Sequence, residues 1–144
     1  MKKYQVHRYH DISCGHRVVG HESKCRFLHG HNYRIHFTCE ADGLDTVGRV
    51  IDFSGIKSRL CLWLEKWWDH KFLVWHEDPL LKNLLKVDPD SLVIVPFNPT
   101  AENMAQYLVD FVGPRQLEGT GVRLVSVTIE ETRKCSATYI ARGD

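Results

Sequence analysis

The stretch that decides the fold is Lys24-Cys25-Arg26-Phe27-Leu28-His29-Gly30-His31-Asn32-Tyr33. It contains two histidines separated by one glycine, and it runs into residues 32–41, where apolar and polar residues alternate. This period of two predicts a β-strand from His29 to about Ala41, with His29 and His31 on one face. Both imidazoles can therefore reach one metal ion, and Gly30 permits close approach of backbone or ligand because it has no Cβ.

A metal site of this kind needs a third ligand. Catalytic zinc commonly takes three protein ligands and keeps a fourth position open for water or substrate. His16 is the nearest good candidate upstream of the strand. The alternative is coincidence, because nine histidines in 144 residues produce some close pairs. A third histidine and a cysteine close to the pair favour the metal site.

The composition excludes several classes of protein. The 144 residues predict a single domain over 1–144. Nineteen basic and eighteen acidic residues, without a cationic run, argue against a nucleic-acid or membrane-surface partner. No stretch approaches the roughly 20 apolar residues of a membrane helix. Five scattered cysteines without a Cys-x-x-Cys pair argue against a disulfide framework and favour the cytoplasm.

Strands flank the metal strand in the sequence. We expect a strand over 4–13, a polar loop over 15–24, and strands over 122–129 and 137–140. Asp42-Gly43-Leu44-Asp45 is a turn signal, and Val47–Ile51 then predicts the second strand of a hairpin.

Two helices follow from their caps and their apolar spacing. The first begins at Asp52 or Ser54 and ends near residues 68–70, and the second begins at Thr100. Their predicted apolar stripes are Phe53, Ile56, Leu60, Leu64 and Trp67 for the first, and Met104, Leu108 and Phe111 for the second. Between them, residues 80–85 look helical and 92–95 look like a short strand. The order predicts an α+β fold with helices on one face of an antiparallel sheet.

Cys25 lies in the loop that leads into the metal strand, between Lys24 and Arg26. The thiolate is the reactive form of cysteine, and nearby cations favour it, so this setting favours a functional role. The alternative is a small apolar core residue. We expect that core role for Cys14, Cys39 and Cys61.

Asp69 and His70 end the first predicted helix. A carboxylate beside a histidine can orient the ring and raise its basicity, and such a pair can activate a thiol. The alternative is an ordinary solvated pair, since such dipeptides are common on surfaces.

Glu131 continues the apolar face formed by Val125, Val127 and Ile129 on the last long strand. A carboxylate in that position is partly buried and needs hydrogen-bond donors. A ligand with two adjacent N–H groups, such as the amino-pyrimidinone edge of a pterin or guanine, satisfies both oxygens. An ion pair with Arg or Lys is the alternative.

Taken together, these motifs resemble the 6-pyruvoyl-tetrahydropterin synthase family over nearly the whole chain. The motifs that match, in order, are His16, Cys25-x-x-x-His29-Gly30-His31, Asp52-Phe53, Asp69-His70, Pro99-Thr100-Ala101-Glu102-Asn103 and Glu131-Thr132. Within the family, the three-residue gap between the cysteine and His-Gly-His resembles the branch that makes 6-carboxy-tetrahydropterin for queuosine and 7-deazaguanine biosynthesis.

The resemblance implies a T-fold, in which subunits join their sheets into a barrel. It implies a hexamer of two trimers, with active sites between subunits. It also implies 7,8-dihydroneopterin triphosphate as the substrate, which the 6-carboxy branch converts with release of acetaldehyde and triphosphate. The residues it assigns are His16, His29 and His31 as zinc ligands, Cys25 as base with Asp69 and His70, and Glu131, Thr100 and Thr132 near the pterin.

Two departures from the family pattern leave questions open. Ser13-Cys14-Gly15 precedes His16 where Phe-x-Ala-Ala is usual, which leaves the role of Cys14 open. The segment 71–97 is longer than in compact members and can alter the rim of the site or the assembly.

Three alternatives to the 6-carboxy activity also stay open: pyruvoyl-tetrahydropterin synthesis, a non-catalytic metal- or pterin-binding protein, and a structural zinc site with Cys25 or Cys14 as fourth ligand.

Overall fold

The computed structural model describes residues 2–143, and its centre is one long antiparallel strand pair. The strands are β1 (Tyr4–His16) and β2 (His29–Ala41). The predicted strand from His29 to Ala41 is thus confirmed, and the first strand is longer than the predicted 4–13. In the register of this pair, His16 lies opposite His29 and Cys14 lies opposite His31. Residues opposite one another in an antiparallel pair share a face, so the three histidines leave the sheet on the same side.

Four further strands extend this pair into a six-stranded sheet of order β4-β3-β1-β2-β5-β6. They are β3 (Phe72–Trp75), β4 (Leu92–Val95), β5 (Arg123–Glu130) and β6 (Ser136–Ile140). The strands β1, β2, β5 and β6 are antiparallel, as predicted, whereas β3 pairs in parallel with both β1 and β4. The segment 71–97 therefore adds a parallel edge to the sheet, and its strand β3 was not predicted.

The two long helices lie on one face of this sheet, and their buried residues form one core with the alternating residues of the strands. The first, α1, consists of Phe53–Ile56, a π-helical Lys57–Cys61 and Leu62–Trp67. The short α2 spans Leu81–Val87. The last, α3, consists of Ala101–Tyr107, a π-helical Leu108–Val112 and Gly113–Gln116. Short 3-10 turns occur at Lys24–Arg26 and Pro89–Ser91.

Both predicted helix caps are confirmed. The Asp52 carboxylate accepts a hydrogen bond from the Ser54 N–H, and the Thr100 hydroxyl accepts one from the Asn103 N–H. These bonds satisfy N–H groups that have no partner within their helices.

The π-helical segments change which residues the two long helices bury. A π turn contains more residues than an α turn, so the buried stripe advances by four at each step. The predicted stripe members Phe53, Trp67 and Phe111 are in fact exposed, at 56%, 49% and 53%. The buried positions at four-residue spacing are Ile56, Leu60 and Leu64 in α1 with Trp68 just after its end, and Met104, Leu108 and Val112 in α3.

The predicted hairpin strand over residues 47–51 is wrong. The Asp45 carboxylate accepts hydrogen bonds from the N–H groups of Val47 and Arg49, and Asp45 N–H donates to the Arg49 carbonyl. An aspartate that bonds its own neighbouring backbone offers the chain an alternative to a strand ladder. Gly48 completes this loop at φ +95°.

Within residues 2–143, none of the helices has the length and apolarity needed to cross a membrane.

Candidate metal centre

The three histidines predicted as metal ligands converge at one end of the sheet. One ring nitrogen from each of His16, His29 and His31 lies within 4.8 Å of the corresponding atoms of the other two. Their ring centroids are 4.6 to 5.2 Å apart. The group lies at the end of the helix-covered face, where the aliphatic core gives way to imidazoles.

Backbone carbonyls fix the orientation of two of these rings. His16 Nδ1 donates to the Pro99 carbonyl at 2.6 Å, and His29 Nδ1 donates to the Phe27 carbonyl at 2.7 Å. Donation from Nδ1 leaves the Nε2 lone pair free, and a metal-bound histidine commonly makes this second hydrogen bond. The Nε2 atoms of His16, His29 and His31 are all buried without a hydrogen-bond partner among the described residues.

Burial also favours the charge state that a metal requires. It lowers the pKa of His16 to about 4, against a smaller opposing effect of the Pro99 carbonyl. It lowers the pKa of His31 as well, where the Glu131 carboxylate opposes the shift. A neutral imidazole is the form that binds a metal. Three imidazoles with unpartnered Nε2 atoms therefore fit a zinc ion.

Two facing glycines bring the strands together between the ligands. Gly15 lies opposite Gly30, so Gly30 stands between His29 and His31, and Gly15 directly precedes His16. A Cβ on Gly30 would lie 3.1 Å from the Cys14 carbonyl oxygen, and a Cβ on Gly15 would lie 2.5 Å from the Phe72 ring. The close backbone approach expected at Gly30 is thus confirmed, and Gly15 shares in it.

Glu131 lies beside the three histidines. Its Oε1 is 3.5 Å from His31 Nε2, within reach for an ion pair although the two form no hydrogen bond. The carboxylate side chain is 24% exposed, which agrees with the predicted partial burial. A bulge in the β2–β5 ladder, between Thr38 and Cys39, moves Val125 out of the predicted apolar face and places Leu124 in the core instead.

Tyr33 adds a polar atom to the centre that the sequence reasoning missed. Its ring lies edge-on to His31 and His16, at centroid distances of 5.4 and 5.8 Å. The residue is fully buried, and its hydroxyl has no hydrogen-bond partner among the described residues. Burial, followed by the charges of Cys14 and Glu131, raises the pKa of this phenol, so it stays a neutral donor. Its position two residues after His31 was the available signal.

The two cysteines near the centre have different surroundings. Cys14 is buried opposite His31, and burial raises the pKa of its thiol to about 12. Cys25 is half-buried in the 3-10 turn Lys24–Arg26, and its carbonyl accepts a hydrogen bond from the Val18 N–H. Cys14 therefore packs as a neutral core residue, as expected. Cys39 and Cys61 are buried as well.

Asp69 and His70 lie on the other face of the sheet. They line a cavity of about 610 Å³ together with Asp11, Ser13 and Asn32, which alternate with the core-facing positions of β1 and β2. The mutually close donor atoms belong to His16, His29 and His31, and no atom of Asp69 or His70 is among them.

The Asp69–His70 pair is nevertheless held firmly. Asp69 accepts hydrogen bonds from the Ser13 N–H at 2.9 Å and from His70 Nδ1 at 3.0 Å. Burial opposes ionisation of Asp69, but these bonds outweigh it and lower the pKa of the carboxyl. His70 has φ +59°, and among the described residues it is the one non-glycine with a positive φ. Residues held in such unfavourable conformations cluster at functional sites.

The two predicted substrate-binding threonines lie in different places: Thr100 is in the turn beside His16, and Thr132 lines the cavity with Asp69 and His70. Thr100 follows Pro99, whose carbonyl holds His16, and its hydroxyl is engaged as the cap of α3. The Thr132 hydroxyl accepts from the Lys134 N–H in the turn after Glu131. Their roles toward a substrate stay predictions.

Asn98 is a further residue of the site that the sequence reasoning missed. Its side chain bonds both the N–H and the carbonyl of Val19, and its own carbonyl accepts from Asn103. It ties the loop after His16 to the start of α3. The available signal was an Asn-Pro pair just before a capped helix.

Comparison with known proteins shows the family to which this chain is similar. A family model described as 6-pyruvoyl tetrahydropterin synthase matches residues 5–142. A 6-carboxy-5,6,7,8-tetrahydropterin synthase from Rickettsia typhi is 33% identical over 126 residues, which cover 87% of this chain and 91% of that protein.

Two solved structures are similar over almost the full chain. An uncharacterised protein from Wolinella succinogenes superposes with a TM-score of 0.86 at 26% identity, covering 99% of this chain and 100% of that one. The 6-pyruvoyl tetrahydropterin synthase of Caenorhabditis elegans gives a TM-score of 0.70 at 25% identity, covering 99% and 98%. The T-fold predicted for the single chain is confirmed, and the chain belongs to the 6-pyruvoyl tetrahydropterin synthase family.

Proposed function

We propose that this protein converts 7,8-dihydroneopterin triphosphate and water into 6-carboxy-5,6,7,8-tetrahydropterin, with release of acetaldehyde and triphosphate. The observation that carries the proposal is the convergence of three unpartnered Nε2 atoms beside the Glu131 carboxylate. The curated relative from Rickettsia typhi bears the name of the 6-carboxy enzyme, which favours that product over the pyruvoyl pterin.

His16, His29 and His31 hold the metal in this proposal. A zinc ion bound there supplies Lewis acidity toward oxygens of the substrate side chain. The group of mutually close donor atoms contains these three histidines and, within residues 2–143, neither Cys14 nor Cys25. Three protein ligands with a free position are typical of catalytic zinc, whereas a structural site uses four. The donor set therefore argues against the structural-zinc alternative.

Glu131 anchors the pterin. Its two carboxylate oxygens accept from the adjacent N–H groups of the amino-pyrimidinone edge, and charge-assisted bonds of this kind are strong. The short distance between Glu131 and His31 supports binding of the pterin ring next to the metal. The buried Tyr33 hydroxyl is a further donor within the same cluster.

Cys25 and the Asp69–His70 pair carry out the proton transfers. The Cys25 thiolate removes a carbon-bound proton from the substrate side chain. Asp69 holds His70 through Nδ1, so His70 presents its other ring nitrogen outward, on a side chain that is 81% exposed. Because this pair lies on the other sheet face, we propose that a second copy of the chain supplies it. The complete site then forms between subunits of a homo-oligomer, in line with the hexamer expected from the family.

Product identity tests this function. The zinc-loaded protein is incubated with 7,8-dihydroneopterin triphosphate, and acetaldehyde, triphosphate and the pterin product are measured. We expect stoichiometric acetaldehyde and a carboxy pterin, and a Cys25→Ala variant that binds zinc but turns over slowly. A pyruvoyl pterin without acetaldehyde would assign the protein to the other branch, and a fully active Cys25→Ala variant would remove the thiolate from the mechanism.

We expect the reaction to take place in the cytoplasm, and the five free cysteines support a reducing compartment. The pathway to 7-deazaguanine compounds such as queuosine is expected from the family resemblance.

A further inference from the structure

A buried ion pair lies directly behind the first metal ligand. Arg17, which follows His16, donates from Nε to Asp78 Oδ2 at 2.7 Å. The Asp78 side chain is 1% exposed and that of Arg17 is 16% exposed. Removing one partner of such a pair leaves an uncompensated buried charge, so both members are held to their places.

Arg17 also reaches the loop that carries the candidate base. Its second guanidinium nitrogen donates to the Arg26 carbonyl at 2.9 Å, and Arg26 is the residue after Cys25. The next residue, Val18, donates its N–H to the Cys25 carbonyl at 2.7 Å. Residues 17 and 18 therefore hold the backbone at two consecutive carbonyls, one of which belongs to Cys25.

This loop has little packing of its own. The 3-10 turn Lys24–Arg26 contains no buried residue. Phe27 and Leu28, which follow the turn, are 57% and 53% exposed. Hydrogen bonds to residues 17 and 18 are thus the main contacts that fix the loop within the chain.

Asp78 is itself anchored by the segment whose purpose the sequence left open. Its second carboxylate oxygen accepts from the Leu80 N–H at 2.8 Å, and its own N–H donates to the Trp75 carbonyl at 2.9 Å. Trp75 is the last residue of β3, which pairs with β1 next to the metal ligands. The long segment 71–97 therefore holds the Asp78 carboxylate next to Arg17, the residue that follows the metal ligand His16.

We infer that Arg17 and Asp78 are positioning residues, which fix the distance of the Cys25 thiol from the metal strand through the Arg26 carbonyl. This inference rests on the proposed role of Cys25 as base. Neither residue touches the sulfur, so both act through the backbone of the loop. Displacement of a reacting group by about 1 Å can cost roughly 100-fold in rate.

An Asp78→Asn variant tests the inference, because it keeps the size of the side chain and removes its charge. We expect kcat to fall by about 10- to 100-fold while KM and zinc content stay close to wild type. Alkylation of Cys25, followed residue by residue with mass spectrometry, should become severalfold faster because the loop is released. The matched control is Glu77→Gln, which alters the neighbouring exposed carboxylate and should leave both rates unchanged.

A second variant covers the case in which Asp78→Asn does not fold. Arg17→Lys keeps a positive charge for Asp78 but lacks the second donor that reaches Arg26. It should therefore lower kcat and speed Cys25 alkylation while the protein stays folded.

Unchanged kcat and alkylation in a folded Asp78→Asn or Arg17→Lys variant would overturn the inference. So would loss of zinc, because the pair would then support His16 instead of Cys25. The alkylation rate does not depend on turnover, so it separates this inference from the proposed function, which an active Cys25→Ala variant would contradict.

Discussion

His31 and His36 lie on the same strand, five residues apart, yet their surroundings are opposite. His31 faces the helix-covered side, where its Nε2 is buried without a partner among the described residues. His36 faces the other side, is 40% exposed at its side chain, and is hydrogen-bonded through Nε2 to Glu130. Successive side chains leave a strand on opposite faces. Whether a histidine of β2 is available to a metal therefore depends on whether it lies an even or an odd number of residues from His31.

The same division separates the groups of the proposed reaction. The metal ligands and Glu131 lie on the helix-covered face, whereas Asp69 and His70 lie with Ser13 and Asn32 on the other face. The proposed function therefore expects a second copy of the chain to complete the site, and closed symmetric assemblies repeat such a contact at every subunit.

The largest expected effect is the loss of zinc when a histidine on the helix-covered face is replaced, but not when one on the other face is replaced. Wild-type protein should bind about one zinc per chain, and His31→Ala should reduce the occupancy to near zero because two ligands hold the ion poorly. His36→Ala should retain its zinc. Metal analysis after gel filtration measures both, and equal losses in the two variants would contradict the assignment of the faces.

Subunit mixing tests whether the two faces meet between copies. Cys25→Ala and Asp69→Ala should each be nearly inactive, but their co-expression should restore roughly one quarter of wild-type activity. Random mixing leaves about one site in four with both groups intact. Co-expression of Cys25→Ala with His29→Ala is the control, because one chain supplies both of these groups and no mixed site is complete. Equal recovery in the two mixtures would place all the groups within one chain.

Glu131 and Glu130 are adjacent in sequence but lie on opposite faces, so we expect their replacement to affect pterin binding differently. Glu131→Gln should weaken the binding of a 2-amino-4-oxo pterin by about 10- to 100-fold, the equivalent of roughly 1.5–3 kcal/mol for hydrogen bonds to a charged group. Zinc content should not change. Glu130→Gln, which alters the partner of His36, should bind the pterin like wild type. Fluorescence titration provides the constants, and equal weakening in both variants would remove Glu131 as the anchor.

The smallest effect concerns the helix cap beside the metal centre. Thr100→Ala should lower the free energy of unfolding by about 1 kcal/mol, because the Asn103 N–H loses its acceptor. Thr100→Ser retains the hydroxyl and should stay near wild type. Thr128→Ala, on the exposed face where Thr128 bonds Thr138, should cost less than about 0.5 kcal/mol. Urea unfolding measures all three, and a Thr100→Ala variant as stable as wild type would show that the cap contributes little.

Much of the metal centre could be predicted from the chain because its signals are local. A period of two over residues 29–41 placed His29 and His31 on one face, and the strand pair confirmed it. The caps at Asp52 and Thr100 depend on side chains two or three residues from the N–H groups they satisfy, so they too could be identified.

Other features could not be predicted because they depend on competition between local and distant contacts. Val47–Ile51 has the composition of a strand, but the Asp45 carboxylate accepts hydrogen bonds from the N–H groups of Val47 and Arg49. These N–H groups are then not available for a strand ladder. The stripe of α1 ends at Trp68 instead of Trp67 because a π-helical segment lengthens the turn, and packing against the sheet selects that geometry. The strand β3 is too short to show a period.

The sequence by itself determined which residues can bind a metal and the strand face on which His29 and His31 lie, because alternation along a strand is a property of the backbone. Tertiary structure alone decided that Asp69 and His70 lie across the sheet from the histidines, and that Arg17 meets Asp78 sixty-one residues later. Contacts between residues so far apart in the chain form only when the whole sheet is assembled. A pattern of neighbouring residues in the sequence therefore does not predict these contacts.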